Sequence, residues 1–115
     1  MKLFNKVKGD VNEEIAVKYL KKKTKLKIIE RNYRNKIGEI DIIAKENDVI
    51  VFIEVKYRST AIYGYGREVV DGNKQWKIRN VAQMYLREIE DMNARVRFDI
   101  IDILGDEVTY IPNAF

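Results

Sequence analysis

Two side-chain chemistries are missing from this 115-residue chain, which contains neither cysteine nor histidine. Without cysteine there are no disulfides, no thiolate nucleophile and no thiolate zinc site. Without histidine the usual general base and the commonest transition-metal ligand are gone, so Ser-His-Asp and Cys-His catalysis are excluded. Any metal must be held by oxygen, which points to a hard cation such as Mg²⁺ or Mn²⁺. Proline occurs once, at Pro112, and no serine- or glycine-rich tract marks a linker, so residues 1–115 read as one domain. No apolar run is long enough to span a bilayer, and no apolar signal-peptide core follows the basic stretch MKLFNKVKGD. The expected location is the cytoplasm, with no membrane partner.

What is present fits a globular protein: 46% hydrophobic and 35% charged residues leave enough apolar side chain for one core. The net charge of +4, from 22 basic and 18 acidic residues, suits a polyanionic partner without demonstrating one.

Asp10 is the expected N-cap of a helix over Val11–Lys23, with Glu13 at the third position of a capping box. Val11, Ile15, Ala16, Tyr19 and Leu20 recur there at helical spacing. Strands are expected near 26–31, 39–44 and 49–57. The stretch 58–72, RSTAIYGYGREVVDG, holds three glycines and reads as a mobile loop. A second helix is expected over 73–91, its apolar positions Ile78, Val81, Ala82, Tyr85, Leu86 and Ile89 keeping a helical period. Strands near 96–104 and 107–111, joined at Gly105-Asp106, close the chain. The order α-β-β-β-α-β-β predicts an α/β (α+β) protein with a central mixed sheet flanked by helices.

The hairpin GEIDIIAKENDVIVFIEVKYR carries charges inside its most strand-like runs. Alternation puts Glu39, Asp41 and Ile43 on one face and Ile40, Ile42 and Ala44 on the other. With Asn47-Asp48 as a two-residue turn, Glu46 pairs with Val49, Ala44 with Val51, Asp41 with Glu54, and Glu39 faces Lys56. Two opposed carboxylates ~5 Å apart repel unless a cation chelates them. Carboxylate, carboxylate and lysine on one face therefore describe an oxygen-liganded metal site with a positive group beside it. The same residues also read as surface ion pairs worth ~0–1 kcal/mol each, and the hairpin alone leaves both open. Glu13 shares a helix side with Ala16, Val17 and Leu20, which aims it at the sheet as a third acidic ligand or leaves it a capping residue.

The hairpin resembles the signature of the uncharacterised YraN-like family (UPF0102), as do EEIAVKYL, IIERNYR, Lys74 ahead of a helix, RFDIIDI and the ending IPNAF. That family is similar to the PD-(D/E)xK, or restriction-endonuclease-like, nucleases and to archaeal Holliday-junction resolvases. The resemblance implies a restriction-endonuclease-like core in which Asp41 and Glu54 bind Mg²⁺ or Mn²⁺ with the Val55 carbonyl, Glu13 assists, and Lys56 is the catalytic lysine. It implies a metal-dependent endonuclease cutting DNA, at branched or damaged structures, with a non-catalytic nucleic-acid-binding module as the alternative. A homodimer would supply two sites for two strands. Arg58, Arg67, Lys74, Lys77 and Arg79 are the expected phosphate contacts, each equally readable as a solvated cationic surface. Trp76 is available to stack on a base, or to pack in the core or at an interface. This chain has Asn12 where the family has glycine before the helix glutamate, and an isoleucine precedes Asp41.

Overall fold

A computed structural model describes the backbone of residues 2–58 and 71–115, with side chains from residue 11 onward. Helix α1 (Lys2–Lys23) is followed by strands β1 (Lys27–Arg34), β2 (Glu39–Glu46) and β3 (Val49–Arg58). Helix α2 (Gly72–Glu88) then precedes β4 (Arg95–Leu104) and β5 (Glu107–Ile111). The five strands form one mixed sheet in sequence order, β3 and β4 parallel and the other neighbours antiparallel. The mixed α/β architecture and the element order are those expected. Among the described residues no helix is long and apolar enough to cross a membrane.

The sheet separates two apolar layers. On one face Ala16, Val17 and Leu20 of α1 pack with Ile42, Val51, Ile53 and Ile101. On the other, Ile78, Val81, Ala82 and Tyr85 of α2 pack with Ile43, Phe52, Phe98 and Ile100. Central β3 is covered on both faces, which is why 49–55 reads as a nearly unbroken apolar run rather than an alternating one. Its parallel partner β4 is reached through α2, the crossover such a pairing requires.

Three expectations about the elements change. Helix α1 starts at Lys2, so Asp10 lies inside it and is not its N-cap. Non-proline residues cost a helix interior at most about 1 kcal/mol, too little for a cap-like residue to stop propagation. The apolar stripe of α1 is rotated: Val11 and Ile15 are exposed while Asn12, Ala16, Val17 and Leu20 are buried. Helix α2 ends at Glu88 rather than Asp91 because Glu90 takes a left-handed φ of 56° and Asp91 N–H turns back to the Leu86 carbonyl. The loop expectation falls mainly on residues 59–70, outside the described residues.

Candidate metal and nucleic-acid site

The turn at Asn47-Asp48 sets the β2–β3 register as expected: Glu46 pairs with Val49 and Ala44 with Val51. The regular ladder ends at Ile42–Ile53, one pair before Asp41 and Glu54. Beyond that pair Asp41 Oδ2 accepts the Val55 N–H at 2.8 Å, so a side chain continues the pairing.

Strict alternation fails beside Asp41. Ile40 joins the α2 layer, while Ile42 and Ala44 join the α1 layer, correcting the expectation that all three share a face. The cause lies on the neighbouring strand. Asn32 stands between the Arg31–Ile42 and Tyr33–Ile40 pairs with a φ of 55°. One left-handed residue turns the paired strands, and asparagine tolerates that conformation better than most. Asp41 therefore sits where the sheet rotates and both helices reach it.

From α1 comes Glu13, at the end of the buried Ala16–Val17–Leu20 side. The Asn32 amide faces both Glu13 oxygens, at 2.8 and 3.0 Å, and assigning its nitrogen to that side makes it a donor to each. Glu13 is thus tied to the strand opposite Asp41, close enough for its charge to act on that carboxyl. Asn12, the residue before Glu13, is buried.

From α2 comes Lys74. Asp71 caps that helix by accepting the Lys74 N–H at 2.9 Å, which fixes the first turn and projects the lysine over the hairpin. Its Nζ lies 3.1 Å from Glu54 Oε1, and Lys56 Nζ approaches the same oxygen at 3.4 Å. Glu54 is buried, so two ammonium groups converge on one carboxylate oxygen at the edge of the core. Gly38, Glu39, Asp41, Glu54, Lys74 and Lys77 line a cavity of about 210 Å³ there, floored by Ile78 and Val81. A larger cleft, about 780 Å³, opens at the other end of the hairpin beside Lys22, Lys23, Glu46 and Arg97. It holds no pair of carboxylates, so size is not the guide to chemistry here.

Protonation follows this crowding. Burial, then the negative charge of Glu54, push the Asp41 carboxyl up to about 7, against the opposing pull of the Val55 N–H. Burial, then the neighbouring Lys74, hold the Lys56 ammonium below its ordinary value. Burial also pulls Lys74 down, but Glu54 and Lys56 outweigh it and the net shift is upward. An Asp reluctant to ionise beside a paired Glu marks a site short of positive charge at Asp41.

The donor set fits a hard divalent cation in one specific sense. Among the described residues no group of three or more carboxylates is gathered as a ready-made cage. Asp41 and Glu54 supply two carboxylates, and Asp41 is held against the backbone of Val55 by its N–H. Mg²⁺ sites of this open kind use one or two carboxylates and leave room for water and phosphate oxygens.

Other expected residues are placed differently. Glu39 does not meet Lys56: it lies opposite Arg34 on β1 and accepts from Arg34 Nε at 3.0 Å, because a guanidinium directly across the ladder is nearer. Arg58 lies with its side chain only 8% exposed, donating to both oxygens of buried Asp102 at 3.2 and 2.8 Å. A desolvated carboxylate needs that charge, so Arg58 supports the sheet rather than a phosphate. Arg79 lies over the rings of Phe98 and Phe115, 4.8 and 5.7 Å from their centroids, away from the carboxylates. Arg67 lies outside the described residues. Of the four expected phosphate contacts among the described residues, Lys74 and Lys77 line the cavity. Trp76 is 62% exposed on the outer side of α2, which removes the core packing open to it on sequence.

Three features escaped the sequence reading. Asn32 gave no local sign that it would hold Glu13. Arg58–Asp102 and the cluster of Arg97, Asp99 and Tyr110 were signalled by aspartates set in the apolar run FDIIDI, which demand cations or N–H donors once buried. Asp99 is fully buried and accepts from Arg97 Nε and Nη2 at 2.9 Å each, from Asn113 N–H at 2.8 Å, and from the Tyr110 hydroxyl.

The family model described as Uncharacterised protein family UPF0102 matches residues 12–103, a span containing Glu13, Asp41, Glu54, Lys56 and Lys74. The chain is 49% identical to a UPF0102 protein of Clostridioides difficile strain 630, over 96% of this chain and 98% of that one. It is 48% identical to one of Fusobacterium nucleatum, over 91% and 87%, and 42% identical to one of Persephonella marina, over 98% and 97%. None of these names states an activity.

Proposed function

This chain belongs to the uncharacterised protein family UPF0102, and from the site it carries we propose that it is a cytoplasmic, metal-dependent endonuclease acting on DNA. The observation that carries the reading is that Asp41, Glu54 and Lys74 line one cavity and Lys56 reaches Glu54 beside it, two acids and two basic residues on a chain without histidine. Asp41, Glu54 and the Val55 carbonyl would hold Mg²⁺ or Mn²⁺, with Glu13 of α1 assisting directly or through water. The cation would supply Lewis-acid activation of the phosphodiester.

The protein's own groups divide the remaining work. Lys56, the more enclosed lysine, orients the attacking water and steadies the charge that develops at the phosphate, the water's proton passing to solvent. Water then forms its bond to phosphorus as the P–O bond to the sugar breaks in line, the leaving oxygen taking a proton from solvent. Lys77 meets a flanking phosphate, and its contribution falls as salt rises. Exposed Trp76 offers a face on which an unpaired base can stack, which favours branched or frayed substrates over continuous duplex.

The test is cleavage of labelled duplex, flap, four-way junction and single-stranded DNA with Mg²⁺ or Mn²⁺, comparing wild type with Asp41→Ala, Glu54→Ala and Lys56→Ala. Cleavage lost in all three variants supports the reading. DNA binding with no cleavage of any substrate by wild type would leave a nucleic-acid-binding module instead.

A further inference from the structure

Lys74 is the residue whose position the proposed chemistry does not explain. It stands in the first turn of α2, where the dipole disfavours positive charge, and acidic residues are absent from that turn. Its ammonium is nevertheless directed to a carboxylate that Lys56 already approaches, 3.1 Å against 3.4 Å on the same oxygen. Glu54 thus has two cations in direct contact, while Asp41, across the strand, is crowded by Glu54, Glu13 and Glu39 and meets Lys74 through longer-range charge. Lys74 is also the more open of the two, its side chain 41% exposed against 16% for Lys56. A half-exposed four-carbon stem can swing without disturbing the core; an enclosed one cannot.

We infer that Lys74 is a resident counter-ion that a divalent cation displaces from Glu54, and that its freed ammonium then binds a non-bridging oxygen of the phosphodiester. This deepens the nuclease reading and rests on it. Lys56 stays at Glu54 throughout, and Lys74 exchanges one anion for another. Without metal the lysine is occupied at Glu54 and phosphate binding is weak. With metal the exchange links cation binding to substrate binding, since each favours the state in which Lys74 has left Glu54.

Two measurements follow, one of which needs no turnover. Mn²⁺ binding by titration calorimetry should tighten roughly tenfold in Lys74→Met, which keeps the stem and removes the competing charge, while Lys74→Arg stays near wild type. In a Lys56→Ala background, affinity for a fluorescein-labelled duplex with a single-stranded extension should drop on adding Lys74→Met when Mn²⁺ is present, and change little without it. Mn²⁺ binding that Lys74→Met leaves unchanged or weakens overturns the exchange while leaving the nuclease reading intact. An equal loss of DNA affinity with and without Mn²⁺ also overturns it, because Lys74 would then be free for phosphate from the start. Absence of Mn²⁺ binding in wild type and Lys74→Met alike overturns both readings together.

Discussion

Asp41→Asn should make the metal-free protein more stable at pH 8 while destroying its response to metal. The Asp41 carboxyl is raised from 3.8 to about 7 by burial and by Glu54. Its folded pKa lies above its unfolded one, so between pH 4 and 7 the native state holds more protons than the unfolded chain. Stability must therefore fall as pH rises through that window, opposite to a salt-bridged aspartate. A shift of about three units is worth roughly 4 kcal/mol at most, since 1.36 kcal/mol corresponds to each unit and Glu54 shares in the effect. Asparagine keeps an acceptor for the Val55 N–H and has no charge to desolvate, so the penalty disappears. Urea unfolding in EDTA at pH 5, 6, 7 and 8 reads this directly, and titrations common to both proteins cancel in the difference. The variant should exceed wild type by about 1–2 kcal/mol at pH 5 and by about 3–4 kcal/mol at pH 8. Mn²⁺ at millimolar concentration should raise the midpoint of wild type alone. A variant less stable than wild type at pH 8, or a difference independent of pH, would refute the reasoning.

Other substitutions separate the site from its supports. Lys56→Ala should lower cleavage by roughly 10²-fold or more while retaining Mn²⁺ binding, measured by calorimetry beside single-turnover rates. Arg58→Ala leaves Asp102 buried without its bidentate partner and should cost about 3–5 kcal/mol in urea unfolding, whereas the double variant with Asp102→Ala should cost less than the sum. At Asn32, whose φ is 55°, alanine should be about 1–2 kcal/mol less stable than glycine, and both should reduce cleavage by releasing Glu13. Phe52→Ala, between Tyr85 and Phe98 in the α2 layer, should cost about 3–5 kcal/mol.

How much of this was legible follows from the range of each signal. The Asn47-Asp48 turn and the apolar run after it placed β2 against β3 in the right register, because a two-residue turn leaves few alternatives. Helix α2 was legible from its buried period, Ile78 to Leu86. The first boundary of α1 was not, since a capping box is a local pattern that a helix can run through. The Ile40–Ile42 division was hidden because its cause, a left-handed Asn32, is on another strand, and alternation rules assume extended residues throughout. Glu39 illustrates the same limit: its partner was sought across β3, while Arg34 waited across β1. Asp41, Glu54 and Lys56 were legible as a group because strand parity and hairpin register both bear on them. The partners of Lys74 and Arg58 were not, because a cation's partner depends on which buried carboxylate lies within reach, a tertiary fact.

The central claim, a divalent-cation site between β2 and β3, is tested most directly by a crystal of the protein grown with Mn²⁺ and measured at the manganese edge. The account predicts one anomalous peak at about 2.1–2.3 Å from oxygens of Asp41 and Glu54 and from the Val55 carbonyl, with Lys74 swung away from Glu54. No peak there, with Lys74 still held on Glu54 at saturating Mn²⁺, would contradict it.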